Sequence, residues 1–141
     1  MGGFSYDIIL IMHKKDFKIW HSEKSLIQNT KVRPGFYERE VWFAVVGENI
    51  GYEQDGRGGR FLRPVVVINK FNNEVLWAVP LTTNGKTGKY YFSFELADTG
   101  TSTAILSQLK LVDAKRLEYK IGNISHSDFK TLKSKLTQLL A

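Results

Sequence analysis

Arg63-Pro64-Val65-Val66-Val67-Ile68-Asn69 is an apolar run with an arginine at its head and an asparagine at its foot. A strand with one wet face alternates apolar and polar residues. This run does not alternate, so it predicts a strand covered on both faces. Pro64 confines Arg63 to extended backbone. Beyond the run, Asn72-Asn73 makes a turn and Glu74 to Leu81 reads as the returning strand. Asn84-Gly85 then turns the chain again. Upstream, Glu40 to Val46 is rich in aromatic and β-branched residues. Downstream, Lys89 to Leu96 alternates aromatic and polar residues, and Ser102 to Leu106 and Lys110 to Val112 add short strands. Short strands joined by turns predict a compact, mostly antiparallel barrel.

Both ends read as helical. Pro34-Gly35 sets residues 1–33 apart with turn chemistry. Within them, Phe17, Trp20, Leu26 and Ile27 stand among charges at mixed helical spacing, which predicts a helix from Lys14 to Gln28. Residues 1–33 are therefore an N-terminal extension, partly helical, and 34–141 the barrel domain with a C-terminal helix over 126–140. In that helix Phe129, Leu132, Leu136 and Leu139 recur every three or four residues and form one apolar face. Ser125 or Ser127 caps its start, and Asp128 sits in the favourable first turn. Lysines 130, 133 and 135 take other positions, as on a solvated outer face.

The chain has 141 residues, a length for one domain. It lacks cysteine, which excludes disulfides and cysteine–zinc sites. Its three histidines, His13, His21 and His126, show no metal spacing. Ile8 to Met12 is too short for a signal or membrane helix, so a cytoplasmic protein with no membrane partner is expected. A net charge of +6 favours RNA, DNA or an acidic protein segment as partner. Gly85-Lys86-Thr87 is no P-loop, because Pro80 stands where the first glycine belongs. Gly51 and Gly56 have the right separation, but Arg57-Gly58 follows them. Glu53 and Asp55 would also repel phosphate. Ser102 and Ser107 lack the glycines of a nucleophile elbow.

The segment Gly51-Tyr-Glu-Gln-Asp-Gly-Arg-Gly-Gly-Arg-Phe-Leu-Arg-Pro64 is the most unusual. Its glycines predict an exposed loop that brings Arg57, Arg60 and Arg63 to the head of the buried strand. That strand would hold the backbone of Arg63 while its side chain reaches outward. Thr82 ends the next strand, where a hydroxyl can face a groove, although taken alone it reads as a turn residue. Gln108 is a polar residue inside an apolar run. Tyr52 and Phe61 are candidates to stack on unpaired bases.

Taken in order, several segments resemble the MazF/PemK family of toxin ribonucleases from type II toxin–antitoxin pairs. The carriers are Glu40-Val41-Trp42, Glu53-Gln54-Asp55-Gly56 and Arg63-Pro64-Val65-Val66-Val67. Pro80-Leu81-Thr82, Ile105-Leu106-Ser107-Gln108-Leu109-Lys110, Asp113-Ala-Lys-Arg116-Leu117 and the final helix complete the series. The resemblance implies a mainly β fold with helices, an SH3-like barrel that works as a homodimer. It implies an endoribonuclease that cleaves single-stranded RNA without metal or other cofactor, paired with a cognate antitoxin protein. It implies catalytic roles for Arg63, Thr82 and the loop carboxylate Glu53, and RNA contacts by Gln54, Arg57, Arg60, Gln108 and Lys110. The chain departs from the family's short form in three ways. Arg57 to Leu62 lengthen the loop, so Arg57 and Arg60 rival Arg63 for the phosphate. Residues 1–33 have no counterpart in the shortest members. Lys110 replaces a planar guanidinium with a point charge. Two other readings remain open at this level: a CcdB-like poison of DNA gyrase that acts by binding, and a non-catalytic RNA-binding barrel.

Overall fold

A computed structural model of the chain describes residues 32–46, 62–97 and 99–141. The expected helix over Lys14 to Gln28 and the segment carrying Tyr52, Glu53, Gln54, Arg57, Arg60 and Phe61 lie outside these residues. The described strands are β1 (Glu40–Val45), β2 (Leu62–Lys70), β3 (Val75–Thr82), β4 (Tyr91–Leu96), β5 (Gly100–Ile105), β6 (Lys110–Asp113) and β7 (Leu117–Asn123). One helix, α1 (His126–Leu140), follows them. All pairings are antiparallel, in the order β4-β5-β3-β2-β1-β7, with β6 also on β3.

Strand β3 organises the curvature. One of its edges belongs to β2. The other is shared: Val75 to Ala78 pair with β6, and Leu81 and Thr82 pair with β5. A 3-10 turn at Leu106–Gln108 carries the chain between those two partners. The sheet therefore bends into a half-barrel. Its two end strands approach each other where Leu96 of β4 comes against Gly122 of β7.

The double burial of β2 is as its sequence predicts. Val66 and Ile68 join Val41, Val79, Leu81, Phe94 and Ala104 in one core, closed by Phe129, Leu132 and Leu136 of α1. Val65 and Val67 face the other way and meet Phe36, Trp42, Ala44, Leu76, Ala78 and Leu117. Beyond Val67, Ile68 forms a bulge, since Val67 pairs with Ala78 and Asn69 with Trp77. The expected cap of α1 is Ser125, whose Oγ accepts from the Asp128 N–H at 3.1 Å.

Strand β7 is an element that the sequence pattern does not announce. Leu117-Glu-Tyr-Lys-Ile-Gly-Asn123 shows no clean alternation, because β7 meets β1 with two register shifts. Ile121 is skipped between Val41↔Gly122 and Trp42↔Lys120, and Glu118 between Phe43↔Tyr119 and Ala44↔Leu117. Each skipped residue reverses the side-chain period of two.

Glu40 pins the start of β1. Its Oε1 accepts from the Tyr37 N–H at 2.8 Å and from Trp42 Nε1 at 3.0 Å. Lys120 Nζ lies 3.2 Å from Oε2. Burial alone would raise the Glu40 pKa, but the bonds from Trp42, Tyr37 and Lys120 outweigh it and hold the carboxyl below its ordinary value. Between the ordinary and the depressed value the unfolded chain binds more protons than the folded one. The contribution of Glu40 is thus complete above the ordinary carboxylate range and lost as pH falls through the depressed value. Glu40→Ala should cost about 2 kcal/mol in urea denaturation at pH 7, because Trp42 Nε1 loses its acceptor. The deficit relative to wild type should shrink when the melts are repeated below pH 4. A constant deficit would contradict the ionised role.

Candidate active site

The β2–β3 register decides the geometry. Val65 pairs with Pro80 and Val66 with Val79. Continued two positions past Val65, the same register sets Arg63 opposite Thr82. Residues directly opposed in an antiparallel pair share a face of the sheet. Arg63 also stands opposite Ala44 of β1. The arginine and the threonine thus lie at the rim of the second core, one strand apart.

Both side chains are largely covered. Arg63 is 5% exposed and Thr82 9%. Arg63 Nη1 donates to the Leu81 carbonyl at 3.1 Å. The guanidinium is therefore laid along the end of β3, a difference from the outward reach that the sequence suggests. The physical reason is that Arg63 is on the face of Val65 and Val67, which is closed by packing and leaves the guanidinium a backbone acceptor nearby. Thr82 Oγ1 accepts from the Asn84 N–H at 3.2 Å. That bond uses an oxygen lone pair, so the hydroxyl proton remains for donation to a ligand.

The two residues line a cleft of about 360 Å³ with Phe43, Leu62, Pro64, Leu81, Thr83 and Asn84. The lining combines apolar residues with an arginine, two threonines and an asparagine. Planar guanidinium donors match a phosphate or carboxylate. Gln108, at the end of the 3-10 turn, and Lys110, opposite Ala78 on β6, are both half-buried and lie outside this lining. Glu53, Gln54, Arg57 and Arg60 belong to residues 47–61, between the end of β1 and the start of β2. Phe43 is a wall residue that reading the sequence overlooks. Its signal, an aromatic inside an ordinary strand, acquires meaning only through its register with Pro64.

Arg116 marks the other side of the β1 terminus. Its Nη1 donates to the Val45 carbonyl at 3.1 Å, and burial lowers its pKa. Arg33 is tied to Asp113 by two bonds, at 3.1 and 2.9 Å. No helix among the described residues is long and apolar enough to cross a membrane.

Residues 38–140 match the family model described as PemK-like, MazF-like toxin of type II toxin–antitoxin systems. The chain belongs to that family. Solved MazF-type structures share its fold. A mycobacterial endoribonuclease in complex with its cognate antitoxin superposes with a TM-score of 0.57 at 14% identity, covering 75% of this chain and 95% of that one. The Mycobacterium tuberculosis toxin MazF-mt6 gives 0.56 at 13% identity, over 72% and 96% of the two chains. MazF from Deinococcus radiodurans gives 0.56 at 18% identity, over 77% and 97%. No curated protein matches the sequence. At such identities the likeness is one of backbone. The mainly β half-barrel with its C-terminal helix is the MazF architecture.

Thr82→Val keeps the shape of the side chain and removes its oxygen. Only the exposed Asn84 N–H loses a partner, and water can replace it. The variant should unfold in urea within about 1 kcal/mol of wild type. A larger loss would mean that Thr82 serves the fold rather than the cleft.

Proposed function

We propose that the chain, a MazF/PemK-like toxin, is an endoribonuclease that cleaves single-stranded RNA by transesterification at the Arg63–Thr82 cleft. One observation carries this reading: Arg63 and Thr82, brought opposite each other by continuation of the β2–β3 register, line one cleft of about 360 Å³. The fold shared with the mycobacterial endoribonuclease supports it, as does the basic net charge of +6.

RNA supplies its own nucleophile. The 2′-oxygen attacks the adjacent phosphorus and its proton passes to a base. The bond from phosphorus to the 5′-oxygen breaks, and that oxygen takes a proton. The products are a 2′,3′-cyclic phosphate and a 5′-hydroxyl end. Because attack is intramolecular, positioning supplies much of the acceleration. Charge builds on the non-bridging oxygens of the phosphorane. Arg63 donates two parallel bonds to them and Thr82 one more, both held in place before the reaction. Arginine remains protonated at neutral pH, so Arg63 is a poor proton acceptor. A carboxylate is chemically the better base, which gives Glu53 the proton or the orientation of Arg63. Arg57 and Arg60 share the phosphate charge, and Gln54, Gln108 and Lys110 contact the strand further from the scissile bond. The partners are single-stranded RNA, a cognate antitoxin and a second copy of the chain. The antitoxin complex of the mycobacterial neighbour supports the second of these.

The deciding experiment incubates the purified chain with a long single-stranded RNA in EDTA. Discrete fragments with 5′-hydroxyl ends are expected, and Arg63→Ala should produce none above background. Intact RNA under all conditions would sink the ribonuclease and leave gyrase poisoning or simple RNA binding. Arg63→Lys retains charge without the planar fork and should lose about 100-fold in rate. Near-full activity in that variant would rule out a bidentate role. Glu53→Gln should flatten the acid limb of the pH profile of kcat/KM if Glu53 takes the proton. An unchanged limb would assign the proton to another group.

A further inference from the structure

Phe43 shares the cleft with Arg63 and Thr82 but can do nothing for a phosphate. On β1 it stands between two partners, Pro64 of β2 and Tyr119 of β7. The Phe43 and Tyr119 rings are 5.1 Å apart at an interplanar angle of 39°. Tyr119 is 53% exposed, a high value for an aromatic in the middle of a strand.

The backbone goes out of its way to make this pair. The two register shifts of β7 fall on either side of it, one at Ile121 and one at Glu118. The second separates residues that a regular strand would keep together. Leu117 and Tyr119 are two apart and would share a face. The extra residue at Glu118 lets Leu117 enter the second core, fully buried, while Tyr119 turns to the opposite face beside Phe43. Bulges that re-aim a side chain are concentrated next to functional sites. A cross-strand pair needed only for packing would not require the exposed ring.

We infer that Phe43 and Tyr119 form a stacking platform for one unpaired base of a single-stranded nucleic acid whose phosphate lies at Arg63. This rests on the reading of the cleft as a single-strand site. Continuity between the rings and the arginine favours a base. A nucleotide has a flat apolar pole joined by its sugar to an anionic pole. Both poles border the cleft at the strand ends: Phe43 and Pro64 from the first-core face of the sheet, Arg63 and Thr82 from the second-core face. Arg63 and Pro64 are adjacent in sequence, and Phe43 is opposite Pro64, ~5 Å away between α-carbons. Stacking on aromatic faces is tolerant of sequence, since all bases present a π-face.

The test uses two probes that the chain cannot cut, because neither has a 2′-hydroxyl. One is a mixed-sequence single-stranded DNA oligonucleotide, and the other an abasic strand of equal length. Fluorescence anisotropy should show that wild type prefers the strand with bases. Tyr119→Ala should weaken binding to that strand about tenfold and leave binding to the abasic strand unchanged. Tyr119→Leu keeps an apolar contact with Phe43 without a ring and should be as weak as alanine; Tyr119→Trp should restore affinity. The salt slope should stay constant, because no phosphate contact is lost. Equal affinity in wild type and Tyr119→Ala would overturn the platform, as would equal losses on both probes. So would a Tyr119→Ala chain whose sedimentation changes while its strand binding does not, which would assign the rings to a protein contact. RNA cleavage separates the two levels of failure. A chain that shows ring-dependent binding but leaves RNA intact keeps the platform and loses the ribonuclease. One that cuts RNA, with Tyr119→Ala binding both probes like wild type, loses the platform alone.

Discussion

Burial of β2 on both faces is the constraint on which the rest of the structure depends. Val66 and Ile68 belong to the core beneath α1, and Val65 and Val67 to the core around Trp42 and Leu117. Each buried side chain of this kind contributes roughly 1.5–3 kcal/mol. In most sheets a slip of one residue exchanges the core face for the solvent face. Here a slip would also exchange the partners within two separate cores, and the different shapes of those cores would reject it. The register with β1 and β3 is therefore held from both sides. The site inherits that precision, since Arg63 and Thr82 sit at the continuation of a register that packing has already chosen.

The same constraint explains why Arg63 is well held. Pro64 keeps its backbone extended, Ala44 stands opposite it, and its guanidinium donates to Leu81 O. A charged group fixed in a covered site is worth more against developing charge than one that must be ordered during the reaction. The coverage is provided by β1, β3 and the second core, none of which is adjacent to Arg63 in sequence. Fold membership does not supply this. Neighbours at 13–18% identity share the half-barrel, while the proposed chemistry depends on which side chains stand at the ends of β2 and β3.

Much of the architecture was legible because its signals are local. A run of β-branched residues announced β2, the asparagine and glycine turns delimited β3, and the spacing of Phe129, Leu132 and Leu136 announced α1. Strand β7 was not legible. Its bulges at Glu118 and Ile121 scramble the period of two, and Gly122 dilutes its strand propensity. The Phe43–Tyr119 pair was hidden for the same reason. Its residues are far apart in the chain, and a regular reading of β7 would place Tyr119 on the face of Leu117. The sequence also offered Gln108 and Lys110 beside Arg63 and Thr82, but a 3-10 turn and a separate partner strand set them outside the cleft lining.

By itself, the sequence determined every described strand but β7, the doubly buried centre of the sheet, the C-terminal helix with its serine cap, and a set of segments sufficient to identify the family. These follow from hydrophobic periodicity, turn chemistry and residue order, which are properties of short stretches of chain. Only the tertiary structure decided that Arg63 lies against Leu81 O, that Thr82 ends the adjacent strand opposite it, and that Phe43 lines the same cleft with Tyr119 packed beside it. Those relations depend on register between strands. Register is set by simultaneous packing on both faces of β2 and by single-residue bulges, and neither is expressed in any one segment of the sequence.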